Sequence, residues 1–142
     1  MGYGVEVLGV HTGAIFGEYW YGGAFGPKVL EVPLLIGLNW LVLVYCCGTI
    51  CQRLALPTPL KAALAAALMV GLDFFIEPIS ARYDFWYWQE NIIPAQNFIA
   101  WFITAFLLLV LFYVLPIRRG NFLALPLYIM QLLFFASLLL FT

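Results

Sequence analysis

Residues 59–76 read PLKAALAAALMVGLDFFI, an apolar run that opens on Pro59 and stops just before Glu77-Pro78. A helix of about 18 residues at ~1.5 Å per residue covers close to the ~30 Å of a bilayer's hydrocarbon core. Pro59 fits a first helical turn, where its missing N–H loses nothing. Lys61 lies in that same turn and can snorkel to the surface. Asp73 has no such escape, since it sits about a turn inside the far end. The run therefore predicts a membrane-crossing helix with a carboxylate in its apolar section.

Three further runs flank it: Leu34–Cys51, Phe98–Leu115 and Phe122–Phe141. Each is about 18–20 residues, again enough to span. Leu56-Pro57-Thr58 separates the first two, and Leu115-Pro116 with Arg118-Arg119-Gly120-Asn121 separates the last two. Pro126 is a candidate kink near the start of the fourth. The whole chain agrees with this reading: its 142 residues are 65% hydrophobic and 9% charged, with a mean hydropathy of +1.03. Soluble domains run near ~45–50% apolar and ~25% charged. This composition excludes an ordinary water-soluble globule, a disordered chain and a nucleic-acid binder with a basic face. A net charge of −1 supplies no polybasic tether either. The expected architecture is one all-α integral membrane domain over residues 1–142, a bundle of about four transmembrane helices. An N-terminal segment, residues 1–32, precedes the bundle; it is Gly-rich and either helical or re-entrant.

Arg53 and Lys61 flank one connection, and Arg118 and Arg119 fill another. The opposite ends carry Glu6, Glu18 and Glu31 against Lys28, then Glu77, Asp84 and Glu90 against Arg82. The positive-inside rule then predicts a multi-pass cell-membrane protein with both termini non-cytoplasmic. Gly2-Tyr3-Gly4-Val5-Glu6 is neither the basic start of a cleavable signal nor, with Glu at position 6, a myristoylation signal. Cys46, Cys47 and Cys51 all lie in the first run, where free cysteine behaves as a small apolar residue. Cys47 and Cys51 share a face, but two thiols without further ligands make no zinc site, and no metal is expected.

Ionisable residues in lipid are expensive and tend to be functional. Asp73 and Glu77 are four apart and face the same way. Two carboxylates so close disfavour double ionisation, and an acid kept protonated near neutral pH is a proton donor. A blander account has Glu77 as a solvated helix end and Asp73 paired with Arg82 or Lys28. Upstream, Gly9, Gly13 and Gly17 recur every fourth residue, which in a helix is a stripe for close packing. His11 and Glu18 are seven apart, two turns along one face, and can partner the carboxylate pair. Tyr19, Trp20 and Tyr21, then Tyr83, Phe85, Trp86, Tyr87 and Trp88, concentrate the aromatic residues. They suit a membrane-interface belt, and equally a slot for a flat greasy ligand whose ring faces stabilise positive charge. Asn97 and Trp101 are one turn apart at the start of the third run, as Asn39 and Trp40 are adjacent in the first. Gln131, isolated in the fourth, reads as a helix–helix hydrogen bond. There is no GxGxxG, P-loop or nucleophile elbow, and His11 is the single histidine. What this inventory permits is chemistry by acid, base and shape, with no cofactor.

Several spaced blocks resemble a known family. Thr12-Gly13-x-x-Phe16-Gly17-x-Tyr19-x-Tyr21, Phe25-Gly26-Pro27, Val32-Pro33 and Asn39-Trp40 are similar to the first signature block of the integral-membrane carotenoid hydratases. That group includes the bisanhydrobacterioruberin hydratase and γ-carotene 1′-hydroxylase types. Asp73-x-x-x-Glu77-Pro78, Trp86-x-Trp88 and Pro94-x-x-Asn97-Phe98-x-x-Trp101 resemble its later blocks. The resemblance covers about residues 5–115. It implies hydration of the terminal 1,2 double bond of an acyclic carotenoid end group, without a cofactor. On this resemblance Asp73 or Glu77 protonates the alkene, and Trp86 or Trp88 stabilises the tertiary cation. The other carboxylate, with His11 or Glu18, then handles the incoming water. Thr12, Phe16, Tyr19, Tyr21, Asn97 and Trp101 are implied substrate contacts. The expected partners are the carotenoid and the lipid bilayer, and the chain's brevity leaves room for a second copy or a membrane-complex partner. The rival readings are a lycopene-type cyclase, whose proline-and-acid signature is missing here, and a non-catalytic carotenoid-binding subunit. A proton-linked transporter using Asp73 as a relay is the weakest, since no internal repeat is evident.

Overall fold

The computed structural model describes residues 1–117 and 120–141, so the expected basic turn at Arg118 and Arg119 lies outside the described residues. Among the described residues, a short helix α1 (Gly2–Thr12) is followed by four helices long and apolar enough to cross a membrane: α2 (Leu34–Gln52), α3 (Thr58–Ile76), α4 (Ala95–Val114) and α5 (Ala124–Phe141). A 3₁₀ turn, Glu77–Ile79, prolongs α3. Prolines set the boundaries. Pro33, Pro57 and Pro94 each stand in extended backbone immediately before a helix, because the residue's fixed φ suits helix entry and its ring forbids an earlier turn. Pro94 is why α4 starts at Ala95, ahead of the expected Phe98, and takes Gln96 and Asn97 into its first turn. Pro126 falls in the first turn of α5, where no helical hydrogen bond is lost.

The bundle centre is built from small residues. Ala62, Ala65, Ala66 and Met69 on α3 are completely buried, and α3 packs against α2, α4 and α5. Small side chains let helix backbones approach closely, the usual basis of association in lipid. At Gly48 a Cβ would lie 2.6 Å from the Phe112 ring, so α2 and α4 meet there only because the side chain is missing. Cys46, Cys47 and Cys51 of α2 are buried free thiols. Helix α5 lies outermost, with Leu133, Phe134 and Leu140 exposed to the lipid side.

The N-terminal segment is helical only in part. Helix α1 (Gly2–Thr12) ends at Gly13, which adopts the left-handed conformation and returns its N–H to the Gly9 carbonyl at 2.9 Å. Gly17 also has a positive φ, 114°. Glycine takes both conformations at no steric cost, so Gly9, Gly13 and Gly17 are not a helical stripe: two of them turn the chain. The chain then forms β1 (Tyr19–Tyr21), β2 (Lys28–Val29) and β3 (Val32–Pro33), the last two closing a hairpin over Leu30 and Glu31. Strand β1 pairs antiparallel with β4 (Trp86–Trp88): Tyr19 faces Trp88, Trp20 faces Tyr87 and Tyr21 faces Trp86. Asp84 pins this pairing, accepting the Gly23 N–H at 2.7 Å and the Tyr87 hydroxyl at 2.8 Å; these bonds hold its carboxyl below the usual carboxylate range. Together α1 and the β1–β4 ribbon cap one end of the bundle, where α2 and α4 begin and α3 ends.

Candidate active site

Side chains alternate along a strand, so the β1–β4 ribbon has two faces. Trp20 and Tyr87 stack outside it at 5.9 Å. Tyr19, Tyr21, Trp86 and Trp88 turn inward and roof a cavity of about 270 Å³. Its floor comes from helices with one-turn spacing: Asp73 and Glu77 at the end of α3, Asn97 and Trp101 at the start of α4. Trp40 of α2 stacks on Trp101 at 4.3 Å and 22°, closing one wall. Leu35 and Leu38 of α2 border the same space while 48% and 54% exposed on the outer surface. With Phe135 and Gln131 of α5 they frame a mouth that opens sideways, toward the lipid.

The carboxylates differ in their partners. Glu77 Oε2 accepts the Trp88 indole N–H at 2.7 Å and the Trp86 indole N–H at 3.0 Å, while Oε1 accepts the Asn97 amide at 2.7 Å. The same amide reaches Asp73 Oδ2 at 3.2 Å. Asp73 Oδ1 is buried with no hydrogen-bond partner. Three N–H donors suit an ionised acceptor, whereas a bare buried oxygen suits one that carries its own proton. Asn97 bridges the two and sets their spacing.

A third carboxylate completes the cavity wall. Glu6 of α1 is buried; its Oε2 accepts the Tyr19 and Tyr21 hydroxyls at 2.7 and 2.8 Å, and its Oε1 accepts the Trp40 indole N–H at 2.7 Å. Burial pushes this carboxyl up, against the pull of the three hydrogen bonds. Burial, then the Glu6 charge, pushes the Tyr19 and Tyr21 hydroxyls up as well.

Of the residues singled out from sequence, Asp73, Glu77, Phe16, Tyr19, Tyr21, Trp86, Trp88, Asn97 and Trp101 all border this cavity. His11, Thr12 and Glu18 do not. His11 is exposed with Nδ1 on the Val7 carbonyl at 2.9 Å, and Thr12 is exposed and donates to the Leu8 carbonyl at 2.6 Å. Glu18 is exposed past the Gly13 turn, so the two-turn alignment with His11 does not exist. Lys28 pairs with neither acid; its Nζ donates to the Tyr21 carbonyl at 2.5 Å. Gln131 makes no interhelical bond through Oε1, which is buried without a partner beside the mouth. By sequence Glu6 counts only among the acidic charges at one end of the spans, although an acid inside the apolar string Val5-Glu6-Val7-Leu8 signals burial. Among the described residues no group of three His, Cys, Asp or Glu side chains is arranged to hold a metal ion.

Four membrane-length helices, closed at one end by an aromatic roof over buried carboxylates, define a helical membrane protein with an internal polar site. Residues 1–141 match the family described as carotenoid biosynthesis protein, and the chain belongs to that family. It is also 28% identical over 118 residues to the bisanhydrobacterioruberin hydratase of Haloarcula japonica, an alignment covering 78% of this chain and 40% of that protein. The chain thus spans well under half the length of that relative. No solved structure matches it.

Proposed function

We propose that this cavity hydrates the terminal 1,2 double bond of an acyclic carotenoid end group, without a cofactor. The observation that carries the reading is the unequal pair: Asp73 with one oxygen bare, Glu77 caged by three N–H groups. Asp73, protonated, passes its hydrogen from Oδ1 to C2 of the alkene, and positive charge develops at tertiary C1. Glu77 stays anionic beneath that charge, and the ring faces of Trp86, Trp88 and Trp101 add to the stabilisation. Water bonds to C1 and releases a proton, leaving a tertiary alcohol. The pairing of one acid kept neutral with one kept charged is the general route to acid–base chemistry near pH 7.

Size supports an end group as the ligand. At about 270 Å³ the cavity sits at the lower end of the ~300–1,000 Å³ of ligand pockets, room for the end of a long chain and not for its length. The rest of a polyene would leave between Leu35, Leu38 and Phe135 into the bilayer. The exposed Arg53 at the opposite end of the bundle favours a cell-membrane orientation with this cap non-cytoplasmic.

Expression in a host that makes acyclic carotenoids tests the reading. Wild type should yield a pigment heavier by one water, and Asp73→Asn or Glu77→Gln should lower its yield by about 10²–10⁴-fold, the usual worth of a positioned acid or base. Unchanged conversion in both variants would refute it, and a pigment of unchanged mass but new absorption would indicate cyclisation instead. Retained pigment with no turnover by wild type would favour a binding subunit.

A further inference from the structure

We infer that Glu6, acting through Tyr19 and Tyr21, is the proton acceptor for the attacking water in the cavity that Asp73 also borders. This rests on the hydration reading and assigns the one step that reading leaves without a residue. What surrounds each acid separates their roles. Every partner of Glu77 is an indole or amide N–H, groups that donate and cannot pass a proton on. Two of the three partners of Glu6 are phenol hydroxyls, at 2.7 and 2.8 Å on a single oxygen. A phenol both donates and accepts, so it can take a hydrogen on one side while releasing its own on the other. Glu77 is therefore built to hold charge, and Glu6 to receive a proton.

The step balances. As water bonds to C1, one of its O–H bonds breaks and an O–H bond forms on Tyr19 or Tyr21. The phenol's original O–H bond breaks as Glu6 Oε2 gains that hydrogen. Nothing is oxidised or reduced. Turnover closes when the hydrogen returns from Glu6 to Asp73 through water in the cavity that both acids border. Trp40, on the remaining oxygen at 2.7 Å, holds the carboxylate toward the two tyrosines. The other groups that face this site are Asp73 and Glu77, with Lys28 held on the Tyr21 backbone.

The test separates the two proton transfers by running the reaction in D₂O and weighing both recovered alkene and alcohol. A Glu6→Gln variant keeps the volume and an acceptor for Trp40 but turns an N–H₂ group toward the two phenols, so isotope exchange, rather than yield alone, separates proton transfer from a structural role. The expected result is alcohol reduced about 100-fold, in the range for loss of a general base, with deuterium still entering the recovered alkene. The cation forms and reverts, but water capture stalls. Tyr19→Phe, which leaves Tyr21 and Trp40 on Glu6, should show the same split more weakly, about 10-fold. It carries the test should Glu6→Gln fail to insert. Alcohol within threefold of wild type in Glu6→Gln overturns the inference, as does loss of exchange together with alcohol. Exchange that persists in Asp73→Asn refutes the donor assignment instead, a result that Glu6→Gln leaves untouched.

Discussion

Replacing Trp88 by Phe separates two things one indole does. The ring packs on Tyr19 at 5.2 Å, and its N–H donates to Glu77 Oε2 at 2.7 Å. Phenylalanine keeps a ring face toward the cavity and deletes the donor. A hydrogen bond to a charged group contributes about 1.5–3 kcal/mol, which is about 10- to 150-fold in rate at ~1.4 kcal/mol per factor of ten. Trp86 still donates to the same oxygen at 3.0 Å, so the loss should fall near the lower end, at about 10- to 30-fold. Trp86→Phe alone should cost a similar amount or less, its bond being longer and its ring less buried. The double variant leaves Oε2 bare, and its loss should exceed the product of the single losses, because an unpaired buried charge adds its full desolvation penalty. The assay is initial alcohol formation in membranes at matched protein content, with the thermal midpoint in detergent as a control on packing. A rate for Trp88→Phe within twofold of wild type would refute the view that Glu77 works as a caged anion.

Three other outcomes follow from the geometry. His11→Ala and Glu18→Gln should each leave conversion within about twofold, since both side chains are exposed away from the cavity; surface changes of this kind lie within ±0.5 kcal/mol. Gly9→Ala would place a Cβ 2.6 Å from the Phe16 ring and 3.1 Å from the Tyr19 hydroxyl, so it should lower stability by about 1–3 kcal/mol and reduce conversion with it, read as thermal midpoint and product yield. Finally, burial raises Glu6 above its ordinary 4.5, so its contribution to stability is fully present below 4.5 and is lost as the pH climbs through the raised value. Thermal midpoints taken across pH should therefore decline less on the alkaline side in Glu6→Gln than in wild type.

How much of this was legible in the sequence depends on the range of the interaction. The four spans follow from local hydropathy and proline, and they emerge within a few residues of expectation. Asp73 with Glu77, and Asn97 with Trp101, were readable because helical spacing alone puts each pair on one face. The β1–β4 ribbon was not. It joins residues 19–21 to 86–88, a pairing that no local pattern announces, and each strand is three residues long. The alternation Tyr19, Tyr21 against Trp86, Trp88 was visible, but a run of aromatics beside a span also reads as an interfacial belt. The same gap hid Glu6, whose partners arrive from 13, 15 and 34 residues away. His11 and Glu18 misled for the opposite reason. Their spacing was right for a helix, but Gly13 ends the helix between them.

The position of the carboxylates suits a reaction between two solvents. The proposed hydration needs a polyene from lipid and water from the polar side. Asp73 lies one turn inside the end of its span, and Glu77 begins the 3₁₀ turn at that end. Deeper in the bundle, α3 presents only apolar residues such as Ala62, Ala65 and Met69. Further out, at Asp84, a carboxylate is exposed and held below its usual range, so it carries no proton to give near neutral pH. Between them lies the level that brings the buried Asp73 together with the Trp86 and Trp88 rings and the Tyr19 and Tyr21 hydroxyls. The helices alone could not build that level, since their spacing supplies Asp73, Glu77 and Asn97 but none of the donors from above. Those come from the strand pair, whose inward rings carry the N–H groups that cap Glu77 and the O–H groups that reach Glu6.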